Sequence, residues 1–293
     1  MGKGQIKTAA LLGLLSGLLV LIGYALYGGT GALMGLVIAA VTNFGSWFYS
    51  DKIALSAYRA QPVSREQAPA IYEMVERLAA KADIPMPGVY VVPGAAANAF
   101  ATGRDPEHAA VAVTEGIVKA LSAEELEGVL AHELTHIINR DTLTQAVAAT
   151  IGGAIAFLAQ MLQYSMFFGG NRDRNGGGAN PIALIATIFL APLAATVIQM
   201  GISRTREFAA DAGAAQLTGN PRALANALKR LEASAQRQPM AANPAFEPLL
   251  IINALPKQMF RSLFSTHPAT DDRVARLLEI EQTQLSGKTV SFS

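Results

Sequence analysis

The sequence predicts a mainly α-helical, polytopic membrane protein with a small β-sheet in its polar part. Three observations carry that expectation. Of 293 residues, 51% are hydrophobic and only 15% charged, with a mean hydropathy of +0.30. A typical soluble domain carries about 25% charged residues. Residues 8–50, 142–171 and 175–203 contain no Asp, Glu, Lys, Arg or His. The short runs that read as strands fall between residues 88 and 114, bounded by Pro and Gly.

The first apolar block is long enough for two helices of about 20 residues each. A break is expected at Gly28-Gly29-Thr30-Gly31, and Tyr27, Trp47 and Tyr49 sit where interfacial aromatics belong. A removable signal peptide would have a shorter apolar region and a small-residue cleavage site. In the second pair, residues 144–164 and 181–200 are each long enough to span, with Pro192 kinking the latter. This pair is richer in Ala, Gly, Thr and Gln, so it reads as two spans, a re-entrant hairpin or helices partly buried in protein. In each case residues 51–141 and 204–293 lie on one side. Lys3, Lys7, Lys52, Arg59, Arg65, Arg140, Arg204 and Arg206 flank that face, and only Arg172 and Arg174 flank the other. Positive charge of this asymmetry marks the cytoplasmic face. The expected division is therefore 1–50, two transmembrane helices; 51–141, the first polar part; 142–203, the second apolar pair; and 204–293, the second polar part.

Several function classes drop out. A net charge of +1 leaves no basic footprint for nucleic acid. The absence of cysteine excludes disulfides, thiol catalysis and Cys-ligated metal. An ion transporter is disfavoured because the apolar runs hold no ionisable residue. In the polar parts, residues 66–82 read as an amphipathic helix with Ile71, Met74, Val75 and Leu78 on one stripe. Residues 88–93, 98–103 and 109–114 read as strands around a turn at Asp105-Pro106. Ser122 and Glu125 form a capping box that starts a helix through Leu126, Val129, Leu130 and Ile137. That helix either stops there or runs on into the third apolar segment. Asn220-Pro221 starts another helix, and a last one holds Val274, Leu277 and Leu278. The linker at 172–181 is of low complexity.

His132-Glu133-Leu134-Thr135-His136 lies within the capped helix. The i, i+4 spacing puts both imidazoles on one face, one turn apart, where they can grip one ion. Glu133 projects beside them as general base for a water. A hydrolytic zinc wants three protein ligands. The metzincin pattern needs a glycine at 139 and a histidine at 142, where this chain has Asn139 and Thr142. With His108 ahead of a strand and His267 in another context, a carboxylate is the expected third ligand. Glu207, just after the fourth apolar segment, supplies one. Asp211, one turn on, can accept the outward N–H of a ligand histidine.

These motifs, with Asn139-Arg140-Asp141, Ser203-Arg204-x-x-Glu207-Phe208-x-Ala210-Asp211 and Asn98-Ala-Phe-Ala-Thr-Gly103, resemble the HtpX family. Those are bacterial membrane-bound zinc endopeptidases akin to the eukaryotic CAAX prenyl endopeptidases. The resemblance covers nearly the whole chain. It implies a gluzincin-type, zincin-like metallopeptidase domain on the cytoplasmic side of the inner membrane, with one Zn2+ per chain. Its zinc ligands would be His132, His136 and Glu207, its general base Glu133 and its ligand-orienting acid Asp211. The strand around Asn98 is implied as the edge on which an extended substrate docks by backbone pairing. A late His267-Pro268 followed by Arg273 is implied to stabilise the tetrahedral oxyanion. Membrane-protein quality control under heat or envelope stress is the implied task.

Position agrees with that task. In a continuous helix, His136 lies about 9 Å before Thr142, where the apolar segment begins, and Glu207 lies four residues after Ser203. A site at the bilayer edge meets chains emerging from lipid, which leads to endoproteolysis of membrane proteins as the expected activity. Two alternatives remain at this level: a prenyl-type processing enzyme with one dedicated substrate class, and a non-catalytic membrane scaffold with a structural metal.

Overall fold

The fold is given by a computed structural model, which describes residues 3–168, 193, 196–197, 203–238, 240, 246, 249–252 and 268–286. The linker at 172–181, most of the fourth apolar segment, and His267 lie outside these residues. The chain runs α1 (Lys3–Phe48), α2 (Ser50–Ala57), β1 (Gln61–Pro62), α3 (Pro69–Lys81), β2 (Gly88–Val92), β3 (Ala99–Gly103) and β4 (Ala109–Thr114). It continues α4 (Glu115–Ala120), α5 (Ala123–Ile138), α6 (Thr142–Phe168), α7 (Arg204–Thr218), α8 (Pro221–Arg237) and α9 (Thr270–Leu285). The fold is mostly helical with one small mixed sheet.

Helix α1 folds back on itself at Tyr27 and Gly28, whose backbones leave the helical region (Gly28 φ 61°). The two halves then touch backbone to backbone, and a Cβ on Gly23 would stand 2.1 Å from the Gly31 carbonyl oxygen. Asn43 donates across the hairpin to the Leu12 carbonyl and Ser16 Oγ. Close glycine contacts and a half-buried amide hydrogen-bonded across the hairpin hold the two halves together. The outer face is apolar: Leu21 and Val41 are each 68% exposed. Among the described residues, large exposed hydrophobics beyond Tyr49 are limited to Val118, Ile138 and Leu285. Each such side chain forfeits about 1.5–3 kcal/mol if left in water. Tyr27–Phe48 is long and apolar enough to cross a membrane.

Against α1 packs the first half of α6, through Leu11, Leu15, Val147, Ala148 and Ile151, and Thr8 and Thr144 hydroxyls pair at 3.0 Å. Helix α6 is not a continuation of α5. The chain turns at Arg140, which sits at φ +57°, a left-handed conformation costing about 1–2 kcal/mol for a non-glycine. The Asp141 amide donates back to the His136 carbonyl at 2.9 Å.

The sheet order is β1-β2-β4-β3. Strands β2 and β4 run parallel, and β1 and β3 pair antiparallel with them. Alternation sorts the faces. Val89, Val111 and Val113 join α3, α5 and α8 in the main core. Val92, Ala110, Ala112 and Phe100 face α2, Phe246 and Leu250. The α5 capping box forms: Ser122 Oγ accepts from the Glu125 amide, and Glu125 accepts from the Ser122 amide. Such a cap is worth about 1 kcal/mol. Asn220 caps α8, with Pro221 in its first turn.

Candidate metal centre and active site

Helices α5 and α7 carry the site. They lie close because α7 presents Gly213 to α5, where a Cβ would stand 2.4 Å from Thr135 Cγ2. One turn along this contact, His132 and His136 point at Glu207. Their Nε2 atoms are 3.7 and 3.5 Å from the two Glu207 carboxylate oxygens. Donors around a tetrahedral ion with ~2.1 Å bonds stand about 3.4 Å apart, so the three side chains are near coordination spacing. All three are buried, and one ligand atom from each lies within 4.8 Å of the others.

The remote nitrogens fix the rings. His132 Nδ1 lies 2.9 Å from Asp211 Oδ1, and His136 Nδ1 lies 3.3 Å from Asp141 Oδ2. With Nδ1–H directed at a carboxylate, each Nε2 presents its lone pair. The residues therefore fit a divalent metal: two oriented imidazoles and an acid converge, each imidazole supported from behind.

Electrostatics favour a cation. Burial lowers the His132 pKa to about 4, with Arg273 adding to the effect and Asp211 opposing it. Burial alone would lower His136 too, but the Glu207, Asp141 and Glu133 carboxylates raise it to about 9. Burial would raise Asp211, yet Arg273 and His132 hold it below its usual value. Glu133 is buried beside the set, and burial pushes its pKa up to about 7, with Glu207 adding to the rise. The Ala101 amide of β3 faces the Glu133 carboxylate and opposes that rise.

Two further residues implied by the resemblance, Arg273 and Asn98, lie among the described residues. Arg273 stands beside His132. It is 1% exposed, and its Nε and Nη2 grip both Asp211 oxygens at 2.8 and 2.7 Å. Its Nη1 donates to the Ile251 carbonyl at 3.1 Å, and Nη2 lies 3.4 Å from both His132 ring nitrogens. Its Nη1 also lies 3.9 Å from Glu207 Oε2, so the guanidinium braces Asp211 beside His132 at the edge of the ligand set. Asn98, just before β3, is buried and turned inward. Its Nδ2 donates to the Ile252 carbonyl and its Oδ1 accepts from the Ala99 amide. The Ile251 amide donates to the Ala99 carbonyl at 3.0 Å. The chain's own Ile251 and Ile252 thus pair with the start of β3, which is the edge strand of the sheet.

The sequence reading gave no role to Asp141 or Ile251, and took Ala101 only as part of the implied edge strand. Asp141 stood in a noticed motif, five residues past His136. The other two act through backbone groups, which leave no residue signature.

Fold and site together define a membrane-associated, metal-dependent peptidase. Residues 65–281 match the family model described as Peptidase family M48. The chain is 66% identical over 279 residues to a "Protease HtpX homolog" of Nostoc punctiforme, covering 95% of this chain and 96% of that one. It is 61% identical over 290 residues to one of Acaryochloris marina, covering 99% of each. The crystal structure of S. mikatae Ste24p shares the fold with a TM-score of 0.51 at 19% identity, covering 93% of this chain. The chain spans 65% of the length of that structure. This chain belongs to peptidase family M48, whose substrates are peptides.

Proposed function

We propose that the chain is a zinc-dependent endopeptidase of the bacterial inner membrane, which cleaves misfolded or damaged membrane proteins on the cytoplasmic side. The observation that carries this reading is the buried His132–His136–Glu207 set, with Glu133 beside it, adjoining an apolar hairpin. Two imidazoles and a carboxylate are a donor set suited to zinc. A zinc ion held there supplies a Lewis acid, which acidifies water and polarises the scissile carbonyl. Glu133 takes the proton of the attacking water and passes it to the leaving amine. Asp211 keeps the His132 imidazole aimed, and Arg273 keeps Asp211 in place.

Membrane placement sets the substrate. Helix α6 starts six residues after His136, and α7 starts three residues before Glu207. Read as a polytopic protein, with α1 contributing two spans and the later apolar pair two more, the chain holds its site within about 10 Å of the bilayer edge by helix-rise arithmetic. Loops and tails of membrane proteins arrive there first. The Lys and Arg asymmetry puts that edge on the cytoplasmic face.

Membrane vesicles of opposite orientation test this. Casein added to inverted vesicles carrying the full chain is expected to be cleaved at many sites, and casein added to sealed right-side-out vesicles to survive. The reverse pattern would contradict the orientation. Cleavage restricted to a prenylated C-terminal peptide would favour a dedicated processing enzyme.

A further inference from the structure

We propose that Asp141 is a positioning residue for the metal centre: it orients His136 from behind and ties the helix bearing both histidines to the helix bearing Glu207. The proposal rests on the reading of His132, His136 and Glu207 as metal ligands.

The placement begins with the turn between α5 and α6. Arg140, at φ +57°, reverses the chain so that its amide meets the Ile137 carbonyl and the Asp141 amide meets the His136 carbonyl. That reversal brings Asp141, five residues along the chain from His136, level with the His136 ring. Its Oδ2 then lies 3.3 Å from His136 Nδ1, while Oδ1 lies 3.6 Å from Arg206 Nη1. Asp141 is buried, and Arg206 adjoins Glu207 on α7. One carboxylate therefore contacts a ligand on α5 and the neighbour of a ligand on α7. The arrangement matches the His132–Asp211 pair, so each imidazole has its own acid, one from the α5–α6 turn and one from α7. Asp141 also opens α6, since its carbonyl accepts from the Gln145 amide at 3.2 Å. The metal centre and the base of the apolar helix thus share one residue.

A carboxylate behind a ligand histidine fixes its tautomer and orientation, and losing it typically weakens metal binding about 10–100-fold. The test uses the full-length chain in detergent, stripped of metal and titrated with zinc against a chromogenic chelator. Asp141→Asn keeps a good helix-capping side chain, so the metal-free unfolding temperature should match wild type. Zinc affinity should fall about 10–100-fold, and the visible spectrum of the cobalt-loaded variant should shift. Equal zinc affinity and an unchanged cobalt spectrum would overturn the proposal and leave Asp141 a helix cap. Should Asp141→Asn not fold, Arg206→Gln decides. It leaves Asp141 in place, and affinity should fall about fivefold, the scale of one weak ion pair; unchanged affinity and spectrum would overturn the proposal. A wild-type chain that binds no zinc would instead overturn the ligand reading, and this proposal with it.

Discussion

Replacing Glu133 by Gln is expected to abolish peptide cleavage while leaving the metal bound. The carboxylate is not among the three converging donors, so its loss leaves the ligand set whole. Gln has the same length and nearly the same shape, so the fold should persist. What disappears is the group that can take and return a proton, worth about 10²–10⁴ in rate. The expected result is unchanged metal content with turnover down by at least that factor. A variant that still cleaved at the wild-type rate would assign the base elsewhere or make the site structural. The pH profile follows from the same group. Glu133 must be ionised to accept a proton, so activity falls as pH drops through its pKa. Burial moves that pKa from 4.5 toward about 7, and a bound cation pulls it back. The acidic limb of kcat/KM should therefore lie between those values, above the ordinary carboxylate range.

The second large effect is expected at Glu207. In Glu207→Ala the two imidazoles remain, still backed by Asp211 and Asp141, but the acid facing both Nε2 atoms is gone. Two histidines one turn apart hold zinc far more weakly than three ligands in the arrangement typical of catalytic sites. Metal content should drop well below one ion per chain and activity should vanish with it. The outcome differs from Glu133→Gln in the metal measurement, which separates a ligand from a base. Zinc content equal to wild type would send the third-ligand assignment to another residue. Helix α7 should stay folded in this variant, because Asp211 still anchors Arg273 through two hydrogen bonds.

Much of this architecture is legible in the sequence, for reasons that differ by element. The start of α5 is fixed by Ser122 and Glu125, a local cap that reads without tertiary context. His132 and His136 are one helical turn apart, so helix periodicity alone pairs them. Strands β2 and β4 are β-branched or alternating runs with clear Gly and Pro bounds. Helices α2 and α4, of eight and six residues, are too short for a periodic signal, and β1 is two residues long. The break before α6 was undecidable because no Gly or Pro marks it. It depends on Arg140 accepting a left-handed backbone, which the hydrogen bonds around it stabilise. Arg273 is legible as a site residue only through the resemblance. Its partner Asp211 lies 62 residues away, and only packing shows that the guanidinium is engaged. The partners of Asn98 and Ala99 are illegible for a similar reason, since Ile252 and Ile251 lie more than 150 residues away.

The central claim is that His132, His136 and Glu207 jointly hold one ion. Anomalous diffraction at the zinc edge from crystals of the full-length, metal-loaded chain tests it most directly. The account predicts a single peak per chain within about 2.0–2.2 Å of His132 Nε2, His136 Nε2 and a Glu207 oxygen. A peak at the exposed Asp105, Glu107 and His108 group with none between α5 and α7 would contradict it.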